Sequence, residues 1–95
     1  MNTNEVINKL QCIKPFLQND FSVKTIGLFG SFSTGNYTDS SDVDILIDFE
    51  RPVGVEFIDV SCLLEREFGR KVDVVSLKGI KDKYLKEIEN DIIYV

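Results

Sequence analysis

Gly30-Ser31-Phe32-Ser33-Thr34-Gly35-Asn36-Tyr37-Thr38-Asp39-Ser40-Ser41-Asp42-Val43-Asp44-Ile45-Leu46-Ile47-Asp48-Phe49 is the stretch that organises the whole chain. Its second half alternates with period two: Val43, Ile45, Ile47 and Phe49 fall on one face, and Asp42, Asp44, Leu46 and Asp48 on the other. This predicts a strand with one apolar side. Asp42 and Asp44 share a face, with Cα atoms about 6.5 Å apart, so their carboxylates can converge on one small space. Unpaired carboxylates brought together repel, and a hard divalent cation with oxygen ligands cancels that cost. The pattern alone also allows two aspartates that merely decorate a solvated strand face. Asp48 has the same parity but lies about 13 Å beyond Asp44 and is left out of the site.

The first half of the stretch is a glycine turn. Val23 to Phe29 reads as a strand that Gly30-Ser31 stops, with a loop or short helical turn over Thr34 to Ser41. A strand ending in Gly-Ser before a helical turn offers backbone N–H groups and a hydroxyl to phosphate oxygens, although an isolated Gly-Ser is also an ordinary turn. Two better-known phosphate loops are excluded. Asn36 and Tyr37 stand where a P-loop needs Lys and Ser/Thr, and Gly27 and Gly30 do not make G-x-G-x-x-G.

Outward from this centre, Val6, Leu10, Ile13 and Leu17 recur at helical spacing, Asn2 and Glu5 form a capping pair, and Pro15 is expected to kink or end that helix. Val55 to Phe68 predicts a second amphipathic helix, with Phe57, Val60, Leu64 and Phe68 as its stripe, Ile58 and Cys62 widening it, and Gly69 ending it. Lys71 to Leu77 is a third strand that carries Asp73. A last helix from about Ile80 to Glu89 is expected to bury Tyr84, Leu85 and Ile88, and Ile92 to Val95 an edge strand. The fold class is α+β: a small mixed β-sheet with helices packed on one side, in a single domain over residues 1–95.

Composition narrows the chemistry. The chain has no histidine, which removes histidine-based nucleophilic triads and metal sites and leaves acid–base work to carboxylates. Cys12 and Cys62 lack metal-ligand spacing and are read as buried small hydrophobes. A net charge of −5 disfavours nucleic acid, since phosphate backbones are bound by clustered Lys and Arg. No apolar run approaches the roughly 20 residues that span a bilayer, and no secretory signal is recognisable, so the expected location is the cytoplasm, without membrane partners.

Gly30-Ser31, then Asp42-x-Asp44 opening a strand, then Asp73 within Val72-Asp73-Val74: in this combination the sequence resembles the polymerase-beta-type nucleotidyltransferases. Within them it is most similar to the minimal nucleotidyltransferases, commonly antitoxins of HEPN-domain toxins. The resemblance covers essentially the whole chain. It implies the nucleotidyltransferase fold, a triphosphate (ATP) at Gly30 and Ser31, and two Mg²⁺ ions at Asp42, Asp44 and Asp73. It implies too that these aspartates are catalytic, with Asp73 sharing one ion and helping to deprotonate the attacking hydroxyl. The expected reaction places AMP on a partner-protein hydroxyl, a tyrosine of a HEPN toxin. One departure is visible: where the family often reads Gly-Ser-x-Ala-Arg-Gly, Phe32-Ser33-Thr34 precede Gly35 and the arginine is missing. The alternative function is an inactive antitoxin that neutralises its partner by binding alone.

Overall fold

The computed structural model describes all 95 residues. In chain order they form α1 (Thr3–Phe21), β1 (Val23–Phe29), α2 (Ser31–Thr34), β2 (Val43–Phe49), α3 (Val55–Phe68), β3 (Val72–Ser76), α4 (Asp82–Ile88), a 3₁₀ turn (Glu89–Asp91) and β4 (Ile93–Tyr94). The four strands make one mixed sheet in the order β3-β2-β1-β4. β1 runs antiparallel to both β2 and β4, while β2 and β3 are parallel. A parallel pair requires a crossover, and α3 supplies it.

α1 begins on a capping box, in which the Asn2 side chain accepts from the Glu5 N–H and the Glu5 carboxylate accepts from the Asn2 N–H. It does not end at Pro15. The chain stays helical to Phe21, because fully buried Leu17 anchors the last turns and exposed Pro15 presents its ring to solvent. Ser22, in the left-handed conformation, closes the helix by donating its N–H to the Leu17 carbonyl.

The core lies between one sheet face and the α1–α3 layer. Val43, Ile45, Ile47 and Phe49 of β2 pack with Ile26 and Leu28 of β1, Val6, Leu10 and Leu17 of α1, and Val60, Leu64 and Phe68 of α3. Each such fully buried aliphatic side chain is worth about 1.5–3 kcal/mol of transfer free energy. The two cysteines are not in this core: both are exposed. Cys62 sits midway between Val60 and Leu64, hence on the opposite side of α3, and Cys12 is two residues, more than half a turn, from Leu10. Ile58 is exposed for the same reason.

α4 differs from expectation too. It buries no residue: Tyr84 is exposed, Leu85 and Ile88 half-buried. It touches the sheet through Tyr84, whose ring meets Phe29 edge-on at 6.4 Å. This contact lies on the second sheet face, with Phe29, Gly27, Leu46 and Asp44. Ile92 covers Gly27 so closely that an added Cβ would come within 2.6 Å of its Cγ2, which is why glycine stands mid-strand there.

Candidate active site

The second sheet face gathers the three aspartates and the glycine turn, and strand register assembles them. In the β2–β3 pair Val43 lies opposite Val72 and Asp44 opposite Asp73, so Asp42, Asp44 and Asp73 emerge side by side on one face. In the β1–β2 pair Phe29 lies opposite Asp44. Gly30, the next residue, therefore turns directly over the Asp44 side chain. A Cβ built on Gly30 would lie 2.9 Å from Asp44 Cγ and closer still to its Oδ2, so only glycine lets the carboxylate sit there. The backbone agrees: Gly30 has φ 74° and ψ −154°, a region essentially reserved for glycine.

Beyond Gly30 the chain makes a single helical turn, α2, which begins with Ser31. Its position is set from several sides. Phe32 is fully buried and stacks on Tyr37 at 4.7 Å, and its carbonyl accepts from Thr3 Oγ1 at 2.6 Å. The Ser33 hydroxyl donates to the Asp91 carbonyl. Arg70 places its guanidinium 5.5 Å from the Phe32 ring centroid and donates from Nη1 to the Ser41 carbonyl at 3.1 Å, immediately before Asp42. Turn and strand start are thus tied together. Phe32 and Tyr37 serve the packing of the turn, and Arg70 is a contributor that sequence reasoning missed, since nothing in Gly69-Arg70-Lys71 announces a contact with a loop some thirty positions earlier.

The electrostatics of the cluster are uneven. Asp44 is pushed up to about 6, first by burial and then by the charges of Asp73 and Asp42, with Lys71 pulling the other way. Lys71 sets its ammonium 3.8 Å from Asp42 Oδ2 and 3.6 Å from Asp73 Oδ1. Three carboxylates therefore face one ammonium, and Asp44 is left with the deficit. No three acidic side chains close on a common point at metal-ligand geometry in this conformation. Even so, the donor set suits a hard divalent cation: all oxygen, clustered on one face and under-compensated in charge. Asp48 stays apart, paired in register with Thr25, and one of its oxygens is buried without a partner.

A Gly-Ser turn is thus pressed against an Asp-x-Asp strand, with a third carboxylate on the parallel neighbour. Residues 11–95 match the family described as "Polymerase beta, Nucleotidyltransferase", and the chain belongs to that family. Protein adenylyltransferase MntA of Thermococcus cleftensis is 37% identical over 92 residues, which cover 96% of this chain and 93% of that one. A solved chain described provisionally as a minimal nucleotidyltransferase superposes with a TM-score of 0.84 at 21% identity, covering 98% of this chain and 95% of its own length. A chain from the complex of a tri-AMPylated Shewanella oneidensis HEPN toxin with an MNT antitoxin superposes with a TM-score of 0.67 at 20% identity, covering 93% and 68% respectively. At those identities the two solved chains speak for the fold.

Proposed function

We propose that the chain is a metal-dependent protein adenylyltransferase that moves AMP from ATP onto a tyrosine hydroxyl of a HEPN-domain toxin and so acts as its antitoxin. The observation that carries this is the contact of Gly30 with Asp44, which sets the Gly30-Ser31 turn directly against three carboxylates. The acceptor class draws its support from MntA, named as a protein adenylyltransferase, and from the similar fold found beside a tri-AMPylated HEPN toxin.

In this reading Gly30 and Ser31 receive the triphosphate through backbone N–H groups and the Ser31 hydroxyl. Asp42 and Asp44 would hold the divalent cations, with Asp73 as a further ligand. When bound, the cations offset the negative charge that builds on the attacking and leaving oxygens of an in-line displacement. The tyrosine oxygen attacks the α-phosphorus, the bond to the bridging oxygen breaks, pyrophosphate leaves, and the hydroxyl proton passes to Asp73. The result is a tyrosine–AMP ester.

Two outcomes are expected. Calorimetry will find ATP binding in Mg²⁺ that weakens at least tenfold with EDTA or in Asp42→Asn; equal binding with and without metal removes the cation from the account. Label from [α-³²P]ATP, and none from [γ-³²P]ATP, will appear on the cognate HEPN protein with the wild-type chain. Asp42→Asn/Asp44→Asn and Asp73→Asn will transfer none. Transfer of γ-label instead would make the reaction phosphorylation.

The second reading, an inert antitoxin that works by masking, is favoured by one feature: α2 carries no cation. Thr34 stands where the family often has arginine, and Arg70 is engaged with Ser41 and Phe32. Protection of cells by the carboxylate variants separates the two.

A further inference from the structure

Lys71 is the one cation of the acidic cluster, and it is shared. The β2–β3 register sets it beside Asp42, and from there its ammonium reaches both Asp42 and Asp73. Neither contact is tight, at 3.8 and 3.6 Å, and the side chain is 66% exposed. An ordinary exposed pair of this kind would contribute little. This one differs because a single charge bridges two carboxylates of three, and the third, Asp44, lies between them in sequence and beside Asp73 in register.

We propose that Lys71 is a tethered counter-cation, which holds the Asp42–Asp73 pair together in the metal-free chain and which a divalent cation must displace on entering the site. The proposal rests on the carboxylates binding metal, as in the proposed function. A lysine suits the task. Its ammonium is a point charge on a flexible four-carbon stem, able to swing out without rearranging the strand, whereas a fixed guanidinium fork would hold the carboxylates more rigidly. The cost is competition: whatever the ammonium contributes to the metal-free cluster, an arriving ion must overcome. Metal affinity is thereby lowered, and the repulsion that would otherwise spread β2 and β3 at this end is relieved until metal arrives.

The test is binding of Mn²⁺ alone, without nucleotide, followed by the loss of the free-ion paramagnetic resonance signal. Lys71→Met, which keeps the length and removes the charge, is expected to bind Mn²⁺ about three- to tenfold more tightly than wild type, the range that two exposed ion pairs allow. Lys71→Arg will stay within about twofold of wild type or bind more weakly, because the competing charge is kept. The gain in Lys71→Met will shrink in high salt, where the competition is screened. Metal-free Lys71→Met will also melt below wild type, with Mn²⁺ closing the gap. Equal or weaker Mn²⁺ binding by folded Lys71→Met overturns the proposal. Asp42→Asn and Asp44→Asn separate the two levels of the argument. If they lose Mn²⁺ while Lys71→Met matches wild type, only the role of Lys71 falls; if they bind as well as wild type, the metal site falls and this inference with it.

Discussion

Asp44→Asn will cost activity and add stability. In the proposed mechanism Asp44 holds a cation against the negative charge that builds in the transition state, so its loss is expected to lower nucleotidyl transfer by roughly 10²–10³-fold or more. The same substitution removes the side chain that the free fold tolerates worst. Its proton is held up to about 6 rather than 3.8, first by burial and then by Asp73 and Asp42, so the ionised form is disfavoured in the folded chain. The full difference corresponds to about 3 kcal/mol, which partial solvent exposure screens to about 1–2 kcal/mol. The sign follows from linkage. A folded pKa above the unfolded one means stability that is fully present below pH 3.8 and lost as pH rises through about 6. Asparagine cannot ionise and escapes that loss. In EDTA, Asp44→Asn should therefore melt above wild type at pH 8, by about 4–16 °C for a chain of this size, and level with it near pH 3.5. Mg²⁺ should erase the advantage by stabilising only the wild type. A metal-free Asp44→Asn that melts below wild type at pH 8 would mean that the carboxylate has a stabilising partner and that the cluster is no strained site.

Gly30→Val should resemble Asp44→Asn in activity and oppose it in stability. Gly30 holds φ 74° and ψ −154°, where a β-branched residue is strained, and its new Cβ would occupy the space of the Asp44 carboxyl. The backbone strain costs about 1–3 kcal/mol. Simple occlusion of phosphates would leave the fold almost untouched; the geometry adds displacement of Asp44 and a fall in melting temperature. Transfer should drop by about 10²-fold or more, because a shift of even an ångström in a catalytic group has that effect. Gly35→Ala is the control: Gly35 also has positive φ, at 87°, but a Cβ there meets nothing within 4 Å. It should lose some stability and keep most of its activity. Equal activity in folded Gly30→Val and Gly35→Ala, by steady-state label transfer, would detach the glycine turn from the chemistry.

Most of the fold was legible because its signals are local. The alternation from Asp42 to Phe49 marks both faces of β2, the Asn2–Glu5 pair marks the start of α1, and β1 ends where Phe29 meets Gly30. Register was legible only by analogy with the family, and register is what brings Asp73 beside Asp44. Errors arose where tertiary packing outweighs local pattern. Pro15 does not stop α1, since the burial of Leu17 two residues on holds the turn together. Cys12 and Cys62 are small and apolar by type, yet each falls outside the angular stripe its neighbours bury. Tyr84, Leu85 and Ile88 have helical spacing but little sheet to cover. Arg70 could not be found from spacing, and neither could the carboxylate contacts of Lys71, because both follow from the parallel pairing of β2 and β3, and nothing in their own neighbourhood encodes it.

Whether this cluster transfers nucleotide is decided by the intact mass of the partner. The cognate HEPN protein, purified after co-expression with the wild-type chain, should be heavier by one or more AMP moieties, on a peptide that contains tyrosine. Co-expression with Asp42→Asn/Asp44→Asn should yield the unmodified mass and leave the cells unprotected. An unmodified partner beside the wild-type chain, with equal protection by wild type and the double variant, would rule out nucleotide transfer and leave masking in its place.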